Sequence, residues 1–264
     1  MTLTHSLQKY GRETLAVAQR ILIELGRRRR SLIFWCVFPV AVLLLNASIF
    51  AERAQVSFAL AVELAAPSTL VGAALFFSCL GGSVATVVAE REQQTLKRLF
   101  ISPLSGFAYF SGIFLAHSCI GLGQAALVYG LARSLGARFA GSLLLGLAIA
   151  LLSIVAYVGV GFLLGTQLAR RTEDVNALVA AFGVPLLILG GAFFPTSLFP
   201  ERLLALARFN PIFHMNEALV AVWAEGEEGA VIAEHLVVLS LFAVAMAIGG
   251  WLAYQAMLRV ERRL

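Results

Sequence analysis

Six uninterrupted apolar runs, each close to the length of a bilayer crossing, constrain this chain more than any other feature. They cover about residues 31–50, 68–89, 107–131, 140–168, 175–194 and 231–257. An α-helix needs roughly 20 apolar residues to cross the hydrocarbon core. Helices that are apolar all round need a large protein core or lipid to hide in. A chain of 264 residues cannot build a core for six of them. The runs are continuous and do not alternate with period two, which argues against a transmembrane barrel. Composition agrees: 60% of the residues are hydrophobic and 13% are charged, against about 25% charged in an ordinary globular domain. The expected fold class is an all-α polytopic membrane protein. A surface helix over 1–30 precedes a single six-span transmembrane domain over 31–264.

Six spans leave both termini on one side. The segments on that side are the first thirty residues, the 90–106 loop, the turn at Arg170 and Arg171, and the C-terminal tail. They hold 15 of the 20 Lys and Arg residues. Arg53, Arg133, Arg138, Arg202 and Arg208 fall on the other side. Lys and Arg accumulate in cytoplasmic loops, so both termini are expected in the cytoplasm, with the chain in the cytoplasmic (inner) membrane. Arg133 and Arg138, in a short outer loop, run against this bias. The net charge of +5 is therefore a signal of topology. The basic residues sit at span ends and form no separate basic domain, so no nucleic-acid partner is expected. Cys36, Cys79 and Cys119 fall inside the runs without paired spacing, and imply neither a disulfide framework nor a zinc site.

Two segments outside the runs have two faces. Near the N-terminus, Leu7, Tyr10, Leu15, Ala18, Ile21, Leu22 and Leu25 recur at three- and four-residue spacing. Lys9, Arg12, Glu13, Gln19, Arg20 and Glu24 fill the opposite face. This pattern predicts a helix in the interface plane with its apolar face among the acyl chains, and Gly26 marks its end. The second segment, "AEREQQTLKRLFISPLS" at 89–105, places charges of both signs between two runs almost free of charge. Leu96, Leu99 and Phe100 follow i, i+3, i+4 spacing, which makes a short helix with one apolar stripe. Ser102 and Pro103 end it. A simple connection needs only a few polar residues. This one is longer and two-faced, as suits a segment gripped by another molecule or one lying on the lipid surface.

This second segment resembles the ABC type-2 transporter permease family, whose members carry an E-R-E-x-G-T-L-x-x-L-x-x-S/T-P-like segment after span two. Glu90, Arg91, Glu92, Thr95, Leu96, Leu99, Ser102 and Pro103 match it. Gln94 stands where Gly is usual, a change of small consequence if the position is helical. A further match is "GGAFFPTSLFPERLLALARFNPIFHMNEALVAVW" after span five. It supplies Gly190, Gly191, Phe193, Phe194, Pro195, Pro200, Asn210 and Pro211 in the family's order. The prolines also break this region into pieces too short to span. Irregular backbone at membrane depth needs cover from protein or water. Short re-entrant helices at the external face are therefore expected there.

The resemblance implies a non-catalytic subunit of an ATP-driven exporter. Its partners would be a separate ABC ATPase, a second copy or a homologous permease, and membrane lipid; ATP and Mg would sit on the ATPase. Glu90, Arg91, Glu92, Thr95, Leu96, Arg98, Leu99 and Phe100 would form the ATPase-coupling segment. Gly191, Phe193, Phe194, Pro195, Asn210 and Pro211 would form an external gate region. His117 and Gln124, two turns apart in span three, are candidates for a polar pathway. The chain itself holds no P-loop, because neither Lys9 nor Lys97 follows the required glycine. "GVGFLLG" at 159–165 lies inside a span and suits close helix contact. Neither a metallohydrolase HExxH pair nor a G-x-S-x-G elbow occurs. Spans this apolar suit a drug, a lipid or a lipid-linked glycan as cargo. The alternative is an ATP-independent channel or secondary transporter, which would usually need ionisable groups within the spans.

Overall fold

A computed structural model describes residues 3–95, 104–227 and 229–261. Besides a single 3-10 turn at Thr196–Leu198, nine helices are found among the described residues when the segments of each continuous span are joined: α1 (Leu3–Arg27), α2 (Arg29–Ala54), α3 (Phe58–Glu92), α4 (Gly106–Ser134), α5 (Leu143–Gln167), α6 (Thr172–Leu189), α7 (Glu201–Ala207), α8 (Pro211–Trp223) and α9 (Ala230–Glu261). Six of them, α2 to α6 and α9, are long and apolar enough to cross a membrane. No strand occurs among the described residues. The protein is thus an all-α, six-span membrane protein.

The helices surround α3. The most apolar window of α3 is 83% buried, against 17% for α2 and for α6. The outer helices bury one stripe each. In α2 the stripe is Trp35, Pro39, Leu43 and Ala47, one residue per turn. Ile33, Val37, Phe182 and Leu241 remain exposed, and so belong to a surface that only lipid or another apolar surface can cover.

Close approach of α5 to its neighbours depends on the glycines of the 159–165 stretch. A Cβ at Gly159 would fall 2.6 Å from the backbone of Met246 on α9. One at Gly161 would fall 2.9 Å from the Leu80 carbonyl oxygen on α3, and one at Gly165 would fall 3.0 Å from Val87. Between membrane helices, van der Waals packing through small residues replaces the hydrophobic drive available in water. Towards the end that carries α1, Phe110 of α4, Phe162 of α5, and Trp251 and Tyr254 of α9 form an aromatic cluster; the Phe110 and Phe162 ring centroids are 4.5 Å apart.

α3 begins at Phe58, ten residues before the apolar run at 68–89, because Ser57 caps it by accepting from the Leu60 amide. Glu63 and Pro67, which look like loop residues, lie inside the helix. Glu63 is 8% exposed and accepts from the Arg138 backbone N–H at 2.7 Å, so the loop between α4 and α5 supplies it with a donor. Residues Thr69–Gly81 of α3 are π-helical, and α6 has a shorter π turn at Val179–Gly183. The two meet where Phe76 covers Gly183, beside an apolar cavity of about 340 Å³. Buried donors serve the carbonyls of this stretch: Tyr157 donates to Val71 at 3.1 Å and Ser78 to Ala74 at 2.7 Å.

Two further helix ends fall well inside the expected spans. Ser142 caps α5, which starts at Leu143 rather than 140. α6 ends at Leu189 rather than 194, where Gly190 and Gly191 turn the chain. The α1 pattern is also corrected. The residues it buries are Val17, Ala18, Ile21 and Leu25, while Tyr10 and Leu15 are exposed. Its buried face lies on protein, with Val17 against Gly112 of α4. The break before α2 falls at Arg28, beyond Gly26.

The α5–α9 contact gives a direct test. Gly159→Leu should overpack it and destabilise the protein by about 1–3 kcal/mol. A lower thermal midpoint in detergent would register this, whereas the same change at Gly123, which has open space around it, should leave the midpoint nearly unchanged.

Candidate functional site

The end of α3 carries Glu90, Arg91 and Glu92, and each turns to a different helix. Glu90 is 4% exposed. Arg20 of α1 donates to it at 2.5 Å, and the Tyr109 hydroxyl of α4 donates to its other oxygen. Arg20 also lies 5.8 Å from the centre of the Tyr109 ring, a cation–π geometry. Arg91 donates to the carbonyls of Gly165 and Ala169, at 3.4 and 3.2 Å. These are acceptors at the C-terminal end of α5, where the helix dipole favours a cation. Glu92 accepts from Thr172 at the start of α6, 3.0 Å from the amide and 2.6 Å from the hydroxyl. A helix N-terminus favours an anion for the same reason. Asp174 completes this start by accepting from the amides of Arg170 and Arg171 at 2.9 Å each.

The connection beyond α3 is held at both ends. Gln93 and Gln94 close a turn on Ala89 and Arg91. Gln94 has φ +54, in the left-handed region that disfavours side chains. The usual Gly at this position therefore has a conformational reason, and the right-handed helical geometry under which Gln would be harmless is absent. Thr95 is half-buried. At the other end Ser105 caps α4 by accepting from the Ala108 amide at 3.0 Å, and its own amide donates to Glu13 of α1 at 3.3 Å. The remaining coupling residues, Leu96, Arg98, Leu99 and Phe100, with Ser102 and Pro103, lie outside the described residues.

At the opposite end of the bundle, the proline-rich region forms two short helices. Asn210 caps α8 by accepting from the Ile212 amide at 3.1 Å, and its Nδ2 donates to the Leu186 carbonyl at 2.7 Å, tying α8 to α6. Pro211 occupies the first helical position, where a missing N–H costs nothing. Gly191 takes φ +78, Phe193 is half-buried and Phe194 is exposed. Gly191, Phe193 and Pro195 line a cavity of about 420 Å³ together with Asn216 and Glu217. Glu217 accepts from the Thr196 hydroxyl at 2.8 Å. Burial holds its carboxyl above the usual range; the Thr196 hydrogen bond opposes this and neighbouring Glu225 adds to it.

His117 and Gln124 are buried in α4 and line neither large cavity. His117 Nε2 lies 3.0 Å from the Thr86 hydroxyl of α3, so it joins two helices. His214 and His235 meet with their Nδ1 atoms 3.0 Å apart. His214 Nε2 is 2.8 Å from the Arg208 carbonyl, which can only accept. His214 therefore carries a proton on Nε2, and one of the two facing Nδ1 atoms donates to the other.

Sequence reasoning missed Arg20, Tyr109 and Thr172 as partners of the Glu90–Glu92 stretch. It also missed Asn216 and Glu217, although two adjacent polar residues in "PIFHMNEALVAVW" carry a signal of their own.

A family model described as ABC-2 family transporter protein matches residues 53–252, more than half of the chain. The chain belongs to that family. It is a membrane permease of an ABC transporter, and membership carries with it a separate ABC ATPase subunit. A search of curated proteins found no match. α1 lies outside the matched stretch, so the Arg20–Glu90 pair links the family core to a segment beyond it.

That pair should respond asymmetrically. Arg20→Met leaves a buried carboxylate with Tyr109 alone and should cost about 2–4 kcal/mol. Glu90→Gln leaves a half-exposed guanidinium that water can reach and should cost about 1 kcal/mol. The double variant should cost less than the sum, as read from thermal or denaturant unfolding in detergent. Gln94→Gly should relieve the left-handed turn and stabilise by about 0.5–1 kcal/mol in the same assay.

Proposed function

We propose that this chain is the membrane half of an ATP-driven exporter, and that the connection between α3 and α4 is where an ATPase subunit applies force. The observation that carries this reading is the three-way anchoring at the end of α3. Glu90 engages α1 and α4, Arg91 the end of α5, and Glu92 the start of α6. A lever transmits force only if its root is rigid, and this root ties four helices to α3 through charge-assisted bonds.

Leu96, Leu99 and Phe100 form the apolar stripe that enters a socket on the ATPase, with Thr95 at its start and Arg98 setting register by charge complementarity. ATP and Mg bind on that partner. Closure of two ATPase subunits pushes the segment. The push moves the base of α3 with its attached helices and re-packs this chain against a second copy or a homologous permease. Hydrolysis resets the assembly. The Lys and Arg distribution supports cytoplasmic termini and an inner-membrane location. The region around Gly191, Phe193, Phe194, Pro195, Asn210 and Pro211 then faces outward and acts as a gate. The exposed apolar surface of α2 and α6 supports contact with lipid and with the second permease. Apolar spans favour a hydrophobic or amphiphilic cargo such as a drug, a lipid or a lipid-linked glycan. Coupling to an ion gradient is disfavoured because the buried carboxylates Glu63 and Glu90 are committed to structural donors.

Purification from its native membrane should recover a Walker A ATPase with the chain. The double change Leu96→Asp and Leu99→Asp should reduce that recovery at least about tenfold while the chain still inserts, since two carboxylates cannot enter an apolar socket unpaired. Full retention of the ATPase by this variant would refute the coupling assignment.

A further inference from the structure

The cavity at the end opposite α1 has a chemical bias that the coupling reading leaves unused. Its volume of about 420 Å³ falls within the range of about 300–1,000 Å³ typical of small-molecule sites. Phe50, Leu64, Phe193 and Val220 give it apolar walls. Asn216, Glu217 and Glu225 supply acceptors. No Lys or Arg is among its described lining residues.

Asn216 is the most informative member. It is 3% exposed. Its Nδ2 donates to the Gly191 carbonyl at 3.3 Å, while its Oδ1 has no partner. A buried amide oxygen is normally satisfied. The local backbone is shaped around it: Gly191 has φ +78, and a Cβ there would fall 2.9 Å from Asn216 Nδ2 and 2.6 Å from Thr196 Cγ2. Beside it, one oxygen of Glu217 takes the Thr196 hydroxyl.

We propose that this cavity binds an organic ammonium ion with an apolar body, its N–H donors meeting the Glu217 carboxylate beside the enclosed Oδ1 of Asn216. An ammonium group donates only, which answers an acceptor-rich lining, and its charge offsets the carboxylates in a site without basic residues. A sugar brings as many acceptors as donors, and its acceptors find no Lys or Arg among the described lining residues; an anion meets two glutamates. The inference deepens the transporter reading by naming its cargo class. It rests on that reading for transport, but not for binding.

The test uses the full-length chain in phosphatidylcholine nanodiscs, titrated with dansylcadaverine, a fluorescent primary ammonium, and with its uncharged N-acetyl derivative. Empty nanodiscs correct for partition into lipid. The chain should bind the ammonium saturably and at least about tenfold more tightly than the acetylated form. Glu217→Gln should bring the two probes to parity, and Asn216→Leu should weaken the ammonium severalfold. Ser197→Trp, at an exposed position on the rim, should weaken both probes in a normally folded protein. Equal binding of the two probes to the unaltered chain, unchanged binding in folded Glu217→Gln, or no effect of Ser197→Trp would overturn the assignment. Recovery of the ATPase is scored separately. A recovered ATPase with Glu217-independent binding sinks the cavity and spares the transporter reading; Glu217-dependent binding without any ATPase does the reverse.

Discussion

A charge at the edge of hydrocarbon is stable only where a fixed opposite charge, dipole or hydrogen bond meets it, and the central helix of this protein ends on three such charges. Glu90 finds a guanidinium and a phenol, Arg91 the carbonyl end of α5, and Glu92 the amide end of α6. The helix ends supply partners that a bilayer cannot. The arrangement therefore fixes which helices surround α3 at this level, and in which order. Apolar packing alone would leave that choice open, because one greasy helix face resembles another and lipid competes with both.

The same logic governs the spans. Where backbones approach closely, glycine makes room, as on the two faces of α5 that meet α9 and α3. Where α3 widens into π geometry, buried hydroxyls of Tyr157 and Ser78 serve its carbonyls. Adjacent rings on this stretch serve different neighbours. Phe76 reaches Tyr157 of α5, and Phe77 reaches Phe38 of α2. A regular α-helix sets neighbouring side chains about 100° apart, so each ring would still have its own face; the π stretch changes the register of every turn beyond it.

The six crossings were legible because length and hydropathy are properties of one segment at a time. So were the family motifs at 90–103 and 190–211, and the small residues of 159–165. Partners were not. Periodicity placed Arg20 on the polar face of α1, yet nothing in that face points to Glu90, seventy positions away. Glu63 and Pro67 read as loop because each is rare inside a span. They are tolerated because the Arg138 amide meets the first and surrounding helices cover the second. Gln94 looked harmless because a sequence does not state the sign of φ. Tyr10 and Leu15 fit the apolar repeat of α1 but lie outside the face that α4 covers. The socket stripe itself, Leu96 to Phe100, was read from spacing and rests on spacing still.

The two ends of the bundle are built on different principles, and α3 belongs to both. At the α1 end its side chains meet charged or dipolar partners, and the connection to α4 is clamped at Ser105 as well as at its root. At the far end Leu64 and Ser68 line a cavity whose other wall is a loop turned by Gly191 and an α8 capped by Asn210. Here the contacts are single hydrogen bonds and apolar edges, with an unpaired amide oxygen among them. Electrostatic anchoring resists sliding, because a shift of one turn breaks every pair at once. Apolar edges beside a cavity have no such pairs to break. A displacement at the base of α3 must cross the π segment before it reaches Ser68, so the anchored root lies at the proposed ATPase contact and the cavity wall lies beyond the π segment.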